Sequence, residues 1–506
     1  MIELARWGVP EITETDVVVV GAGNAALCAA LAARESGAEV LVVERAEEAQ
    51  RGGNSTYTAG AFRVVYEGVD DLHKLVPDLT PEELENNDYG SYTEAQFFDD
   101  MARITQHRTD PTLAELLITR SFDTLQWMTR NGIRFIPMYQ RQAFRTEAGH
   151  FRFWGGLTIE ANGGGAGLIE SLFDEVQKRG VTVWYRSRAV ELVYQRPDGV
   201  TGVVVRRPDG DVIVNAKAVV LASGGFESNA EWRARYLGPG YDLAKVRGTR
   251  YNTGDGIRMA LDVGAEPYGN WSGAHAVGWD MNAPAYGDLS VGDGFQKHSY
   301  PFGIMVNAEG RRFVDEGADF RNYTYAKYGH DILAQPGKFA WQIFDEKVVP
   351  LLRDEYHIRE VTRVKADTLE ELARKLEDVD PEGFLATVHE FNAAVQDDVP
   401  FDPTVKDGRG TRGLDLPKSN WANKLDTPPY RAYAVTCGVT FTFGGLHVNT
   451  DAAVLDVEQA PIPGLYAAGE LVGGLFYNNY PGGTGLTSGS VFGRIAGSQA
   501  AAHAQA

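Results

Sequence analysis

Cysteine is almost absent from this chain: Cys28 and Cys437 are the only two in 506 residues. Two thiols exclude a disulfide framework, a cysteine zinc site and an iron–sulfur cluster of the chain's own. Positive charge is also short, since 48 Lys and Arg face 69 Asp and Glu, leaving a net charge of −21. Such a field repels nucleic acid and anionic lipid, so an anionic substrate needs a local basic pocket. No run of about 18 apolar residues offers a membrane span. The polar, acidic opening MIELARWGVPEITETD does not read as a signal peptide. These absences point to a soluble, cytoplasmic protein without a nucleic-acid partner or a metal site.

Glycine, in contrast, is plentiful at 57 residues, above the usual ~7%. It gathers in clusters, as tight loops beside a ligand require. The stretch YNNYPGGTGLTSGSVFG, residues 477–493, holds five in seventeen. Hydrophobic content of 43% is enough for a sizeable core, and the length suggests about three domains.

The clearest ligand signal lies near the N-terminus, in DVVVVGAGNAALCAALAARESGAEVLVVE. Val17 to Val20 read as a buried parallel strand, the following alanine-rich run as a helix, and Glu39 to Val43 as a second strand. Gly21, Gly23 and Ala26 form GxGxxA between strand and helix. Gly21 makes the tight turn, Gly23 lets a pyrophosphate reach the backbone, and Ala26 allows close packing of helix on strand. The helix N-terminus faces the phosphates, and Glu44 is placed to bond a ribose. This motif alone leaves NAD and FAD open. Three later stretches favour FAD: RGGNS with Gly53, Asn54 and Ser55; VVLASGGF with Ser223 and Gly224; and IPGLYAAGE with Glu470. A flavin site is assembled from such distant returns of the chain, and a simple NAD site is not.

As an ordered set, GAGNAA, GGNS, VLASGGF, NTGDGIRMA, GRRFVDEG and IPGLYAAGE resemble the flavoproteins of the fumarate reductase and succinate dehydrogenase family. That family includes 3-ketosteroid dehydrogenases, and the likeness covers nearly the whole chain. Within it, GRRFVDEGADFRNYTYAKYG, FTFGGL and NYPGGTGL are most similar to tricarballylate dehydrogenase. The resemblance implies an α/β architecture: a Rossmann-like, discontinuous FAD-binding domain at 1–270 and 441–506, interrupted by an inserted α+β capping domain at 271–440. It implies that Arg45, Asp255, Gly485 and Leu486 join the cofactor site and that the backbone near Ala189 and Val190 lies by the adenine. The stretch RAEEAQRGG has no histidine where membrane-bound relatives attach FAD, so the FAD is expected to be noncovalent.

For the reacting end, the resemblance puts a carboxylate-binding histidine at His275 and, with one residue inserted after Glu316, an arginine proton donor at Arg321. Two cationic clamps of the fumarate reductases fall instead on Phe441 and Tyr480. In the 3-ketosteroid dehydrogenases a tyrosine at the latter place abstracts a proton. A basic cluster in RQAFRTEAGHFR offers Arg141, Arg145 and Arg152, with His150, as a carboxylate-binding wall against the single Glu147. The expected chemistry is desaturation of a carbon–carbon bond beside a carboxylate, tricarballylate to cis-aconitate, with either Tyr480 or Arg321 moving the proton. A ketone-directed desaturase and an enoate reductase of the fumarate type are the alternatives. The substrate is a small carboxylate or carbonyl compound. The electrons pass to a separate acceptor such as a membrane redox protein.

Overall fold

The computed structural model describes residues 11–146, 148–154 and 156–506. The larger of its sheets grows from the N-terminal apolar run. Strand Glu11–Val20 lies between Val40–Val43 and Gly210–Leu221 and is parallel to both. Thr182–Trp184 and Pro461–Ala467 extend the parallel array on either side. Strands buried on both faces must be apolar throughout, and Val17 to Val19 are wholly buried. Gly199–Arg207 pairs antiparallel with Gly210–Leu221 on one side and with Arg188–Gln195 on the other, the chain turning each time at a Pro-Asp-Gly sequence.

Helix Asn24–Glu35 packs against the last helix, Thr484–Gln505. Glycine explains how closely they approach. A Cβ on Gly493 would lie 2.4 Å from the Ala25 carbonyl oxygen, and one on Gly497 2.0 Å from that of Ala29. The glycines at every fourth position of the C-terminal segment are therefore a contact stripe. The helix begins at Thr484, two residues before Leu486.

A second sheet is built around the long strand Tyr430–Leu446, which pairs with Lys245–Val246, Pro267–Asp280, Phe339–Phe344 and Arg363–Ala366. The expected boundaries at 270/271 and 440/441 fall inside Pro267–Asp280 and Tyr430–Leu446, whose register runs from Pro267 opposite Leu446 to Asp280 opposite Val435. The chain thus enters and leaves the inserted segment along a pair of antiparallel strands. At its far end the segment has its own apolar core, with Trp341, Ile343, Leu372 and Phe384. Helices Leu369–Lys375 and Pro381–Ala394 close it, started by the Thr368 and Asp380 side chains on the first free N–H groups. Helices Glu94–Ile104 and Pro111–Arg130 follow the second parallel strand in the chain. Among the described residues no helix is long and apolar enough to cross a membrane, and no cluster of His, Cys, Asp or Glu is arranged to hold a metal ion.

Candidate active site

One elongated cleft is lined by both sheets and holds about 1410 Å³ of space between its atoms, its open mouth included. Gly21, Gly23, Glu44, Arg45 and Asp255 line one end; Arg247, His275, Tyr325, Phe441, Tyr480 and Gly485 line the other. Gly21 has φ +104°, and a Cβ there would sit 2.5 Å from the Ala222 carbonyl oxygen. Only glycine suits that turn. The Asn24 N–H, at the start of the first helix, donates to Ser55 Oγ at 3.1 Å. Ala26 is fully buried behind the turn. The Glu44 carboxylate accepts from the Ala46 N–H at 2.7 Å, and burial pushes its pKa up.

Asp255 is already engaged. Arg188 grips it with two bonds of 2.8 Å, and Arg45 donates to it at 3.1 Å. Asp255 therefore positions two arginines at the cleft and does not itself offer a free carboxylate. Ala189 lines the cleft, while the Val190 carbonyl is taken by Arg258 at 2.9 Å. Gly53, Asn54, Ser223, Gly224, Glu470 and Leu486 all reach the cleft. Asn54 donates to Thr440 O and Glu227, each at 2.7 Å. Glu227 faces Glu470, and burial with mutual repulsion pushes the Glu227 carboxyl well up, so the pair holds a proton between them.

The opposite end is aromatic. Tyr480 is buried, with its ring 4.8 Å from His275 and 5.0 Å from Phe476 between centroids. Its hydroxyl accepts from the Gly485 N–H at 3.1 Å. Burial raises its pKa, opposed by that N–H and by the Tyr325 hydroxyl. Burial also holds Tyr325 well above the usual phenol range. At neutral pH both tyrosines keep their protons. Burial, with Arg247 adding to it, pushes the His275 pKa well down, so the ring is neutral. Its Nε2 is buried without a hydrogen-bond partner. Arg247 is tied to Asp293 at 2.6 and 2.9 Å, and Arg141 donates to the same carboxylate at 2.6 Å.

The structure separates other residues that the sequence reading had grouped. Arg145 and Arg152 do not line the cleft. They lie on the hairpin Ala143–Arg145/Phe151–Phe153, exposed, with Arg152 beside Asp88 and Arg145 over the Phe151 ring. So short a hairpin leaves its long polar side chains in water. Of the basic cluster only Arg141 turns inward; His150 is half-buried away from the cleft, and Glu147 lies outside the described residues. Arg321 is buried behind Tyr325 in a second, smaller pocket. Sequence reasoning missed Arg247, Tyr325 and Glu227. Arg247 and Tyr325 line the cleft without a local pattern to mark them, Arg247 just after the paired strand Lys245–Val246 and Tyr325 at the start of helix Tyr325–Leu333, and Glu227 supports the cleft from behind through Asn54.

The cleft fits FAD. Ser223 Oγ and His275 Nε2 are buried, unpaired and on its wall. Two helix N-termini open on it, and a Cβ on Gly53 would meet nothing within 4 Å. Those termini favour the negative charge of a pyrophosphate at one end and of a flavin ring edge at the other.

Comparisons with known proteins agree. Residues 16–486 match the FAD binding domain family. A probable fumarate reductase of Shewanella frigidimarina is 32% identical over 97% of this chain and 75% of its own length. A urocanate reductase of Eggerthella lenta is 29% identical over 97% and 75%. The solved 3-ketosteroid Δ1-dehydrogenase of Sterolibacterium denitrificans superposes with a TM-score of 0.74 at 23% identity, covering 97% of this chain and all of that one, which speaks to the fold alone. The chain belongs to the FAD-binding flavoprotein family of the fumarate reductases, oxidoreductases that act on carbon–carbon bonds.

Proposed function

We propose that this FAD-dependent oxidoreductase reduces the double bond of a small α,β-unsaturated carboxylate or carbonyl compound, using noncovalently held FAD. One observation carries the direction: the relatives it matches over nearly its whole length include a probable fumarate reductase and a urocanate reductase. Tyr480 and Tyr325 both hold their protons in a buried site, so a proton donor is at hand. Tricarballylate desaturation, the first expectation, has no support from those relatives.

Bound FAD would supply the hydride. The chain's own residues do the rest. His275 Nε2 and the tyrosine hydroxyls offer hydrogen bonds to the substrate's carbonyl or carboxylate oxygen. Phe441 and Phe476 exclude water from the reacting bond. Tyr480 delivers the proton to the carbon next to the carbonyl. Gly485 N–H then steadies the phenolate oxygen until it regains a proton. Fumarate itself suits this end poorly. Phe441 and Tyr480 hold the two clamp positions, and Arg247 is already paired with Asp293. A monocarboxylate or enone is the better match, and a separate redox partner supplies the electrons. The absence of a histidine before Gly52 and Gly53 supports release of intact FAD by acid.

The test is anaerobic stopped flow on photoreduced protein. An acrylate-type acid, urocanate, a cinnamate or an enone should reoxidise the flavin rapidly. If every enoate leaves it reduced, while a saturated ketone or acid bleaches the oxidised protein, the desaturase reading replaces this one.

A further inference from the structure

Behind Tyr325 lies the second pocket, and nothing in the reading above uses it. Its polar wall is Arg321, Arg353 and His298; its apolar wall includes Trp154, Phe320 and Trp421. The Tyr325 ring packs edge-on against His298 at 4.9 Å and against His275 at 4.8 Å, so it divides this pocket from the flavin cleft.

Three polar atoms on its lining residues are buried and unpaired: Arg321 Nε, His298 Nε2 and Trp154 Nε1. Two of them are obligatory donors. Arg321 spends its other nitrogens on the Arg141 carbonyl at 3.1 Å and on His298 Nδ1 at 3.5 Å. Arg353 donates to the Gln140 carbonyl at 2.8 Å. Among the described residues neither arginine has a carboxylate oxygen within 4.0 Å.

The local charge count is lopsided. Arg321 and Arg353 are buried on this wall, half-buried Arg141 lies against Arg321, and buried Arg247 lines the neighbouring cleft. Their nearby carboxylates are Asp293, shared by Arg141 and Arg247, and Glu355. Glu160 is a third, but burial brings its pKa up to about 7. Four arginines thus face two full carboxylates in a chain of net charge −21, and burial beside like charge lowers the pKa of Arg321 and Arg353. Buried charge is kept only when it is paired or hydrogen-bonded.

We propose that this pocket is a binding site for one small planar anion, a one-carbon carboxylate or an oxyanion of that size. The donors surround it and the aromatic residues lower the dielectric. With about 290 Å³ between atoms, its mouth included, it is too small for a cofactor. The anion would sit beside the catalytic cleft without entering it, so it would not compete with the substrate.

Formate is the probe, titrated calorimetrically into the oxidised holoprotein with ionic strength held by potassium gluconate. One saturable site is expected, with the flavin spectrum unchanged. Arg353→Gln should weaken formate at least tenfold. Trp154→Phe, which removes one donor and keeps an aromatic wall, should weaken it several-fold with FAD content intact. Phe441→Leu, at the flavin cleft, should leave it unchanged. The readout needs no turnover, so it stands apart from the choice of substrate. Absence of saturable heat in the wild type, meaning that water alone fills the pocket, would overturn the proposal. So would wild-type formate affinity in both pocket variants, or formate displaced by a substrate that perturbs the flavin.

Discussion

The two ends of the cleft are built on different principles. At the Gly21–Glu44 end the backbone does the work: a turn, a helix N-terminus and close approach. At the Tyr480 end the work falls to side chains drawn from residues 247, 275, 325, 441 and 480. A backbone site leaves a compact trace in sequence, because its turn, helix and strand must follow one another. A side-chain site leaves scattered single letters.

Substitutions can break that contrast. The largest effect is expected from Gly21→Ala. Its Cβ would collide with the Ala222 carbonyl oxygen, at a cost of about 1–3 kcal/mol for overpacking alone, with strain from φ +104° added. The protein should fail to accumulate as a yellow holoprotein; normal flavin content in purified Gly21→Ala would show that the turn can yield.

Tyr480→Phe tests the other end. It keeps the ring and removes the proton, so turnover should fall by about 10²–10⁴ while FAD stays bound. Burial raises the Tyr480 pKa above its ordinary value, and a donor works in its protonated state. Wild-type turnover should therefore be flat through about pH 9 and decline only at higher pH. A rate that rises with pH through the range 7–9 would instead mark a base.

Glu44→Ala is intermediate. Losing a charge-assisted bond to the ribose is worth roughly 1.5–3 kcal/mol, so FAD should dissociate at least tenfold more readily in equilibrium dialysis. Unchanged retention would remove Glu44 from the nucleotide site. The smallest effect is expected from Arg145→Ala with Arg152→Ala. Exposed ion pairs are worth about 0–1 kcal/mol, so KM should change less than about twofold; a tenfold rise would bring the hairpin back to the substrate.

The same contrast explains what could be read from sequence. GAGNAA, its helix and Glu44 are contiguous, and each part has a fixed physical task, so the strand, turn and helix at this end could be read from the sequence as one unit. Tyr480 and Phe441 were found because they interrupt a recognisable pattern. Arg247 lies in KVRGTRY with no local feature to mark it; its position follows from the pairing of Lys245–Val246 with Tyr430–Leu446. The basic run at 141–152 misled for a related reason. Charge density along the chain does not say which face of a hairpin meets water, and strand pairing sets Arg152 opposite Phe144 at an exposed edge. Arg321 depended on a one-residue offset, and the structure seats it on the far side of Tyr325.

The glycine-striped C-terminal helix has a consequence for biosynthesis. Asn24 reaches across 462 positions to donate to the Leu486 carbonyl at 2.9 Å, and to Ser490 Oγ at 3.0 Å. The ligand-binding turn thus waits for a segment 462 positions further along the chain. A nascent chain ending before Thr484 has the dinucleotide turn but no helix terminus at the flavin end. Stable flavin capture therefore waits for that helix, and ribosomes stalled before Thr484 should carry unpigmented chains.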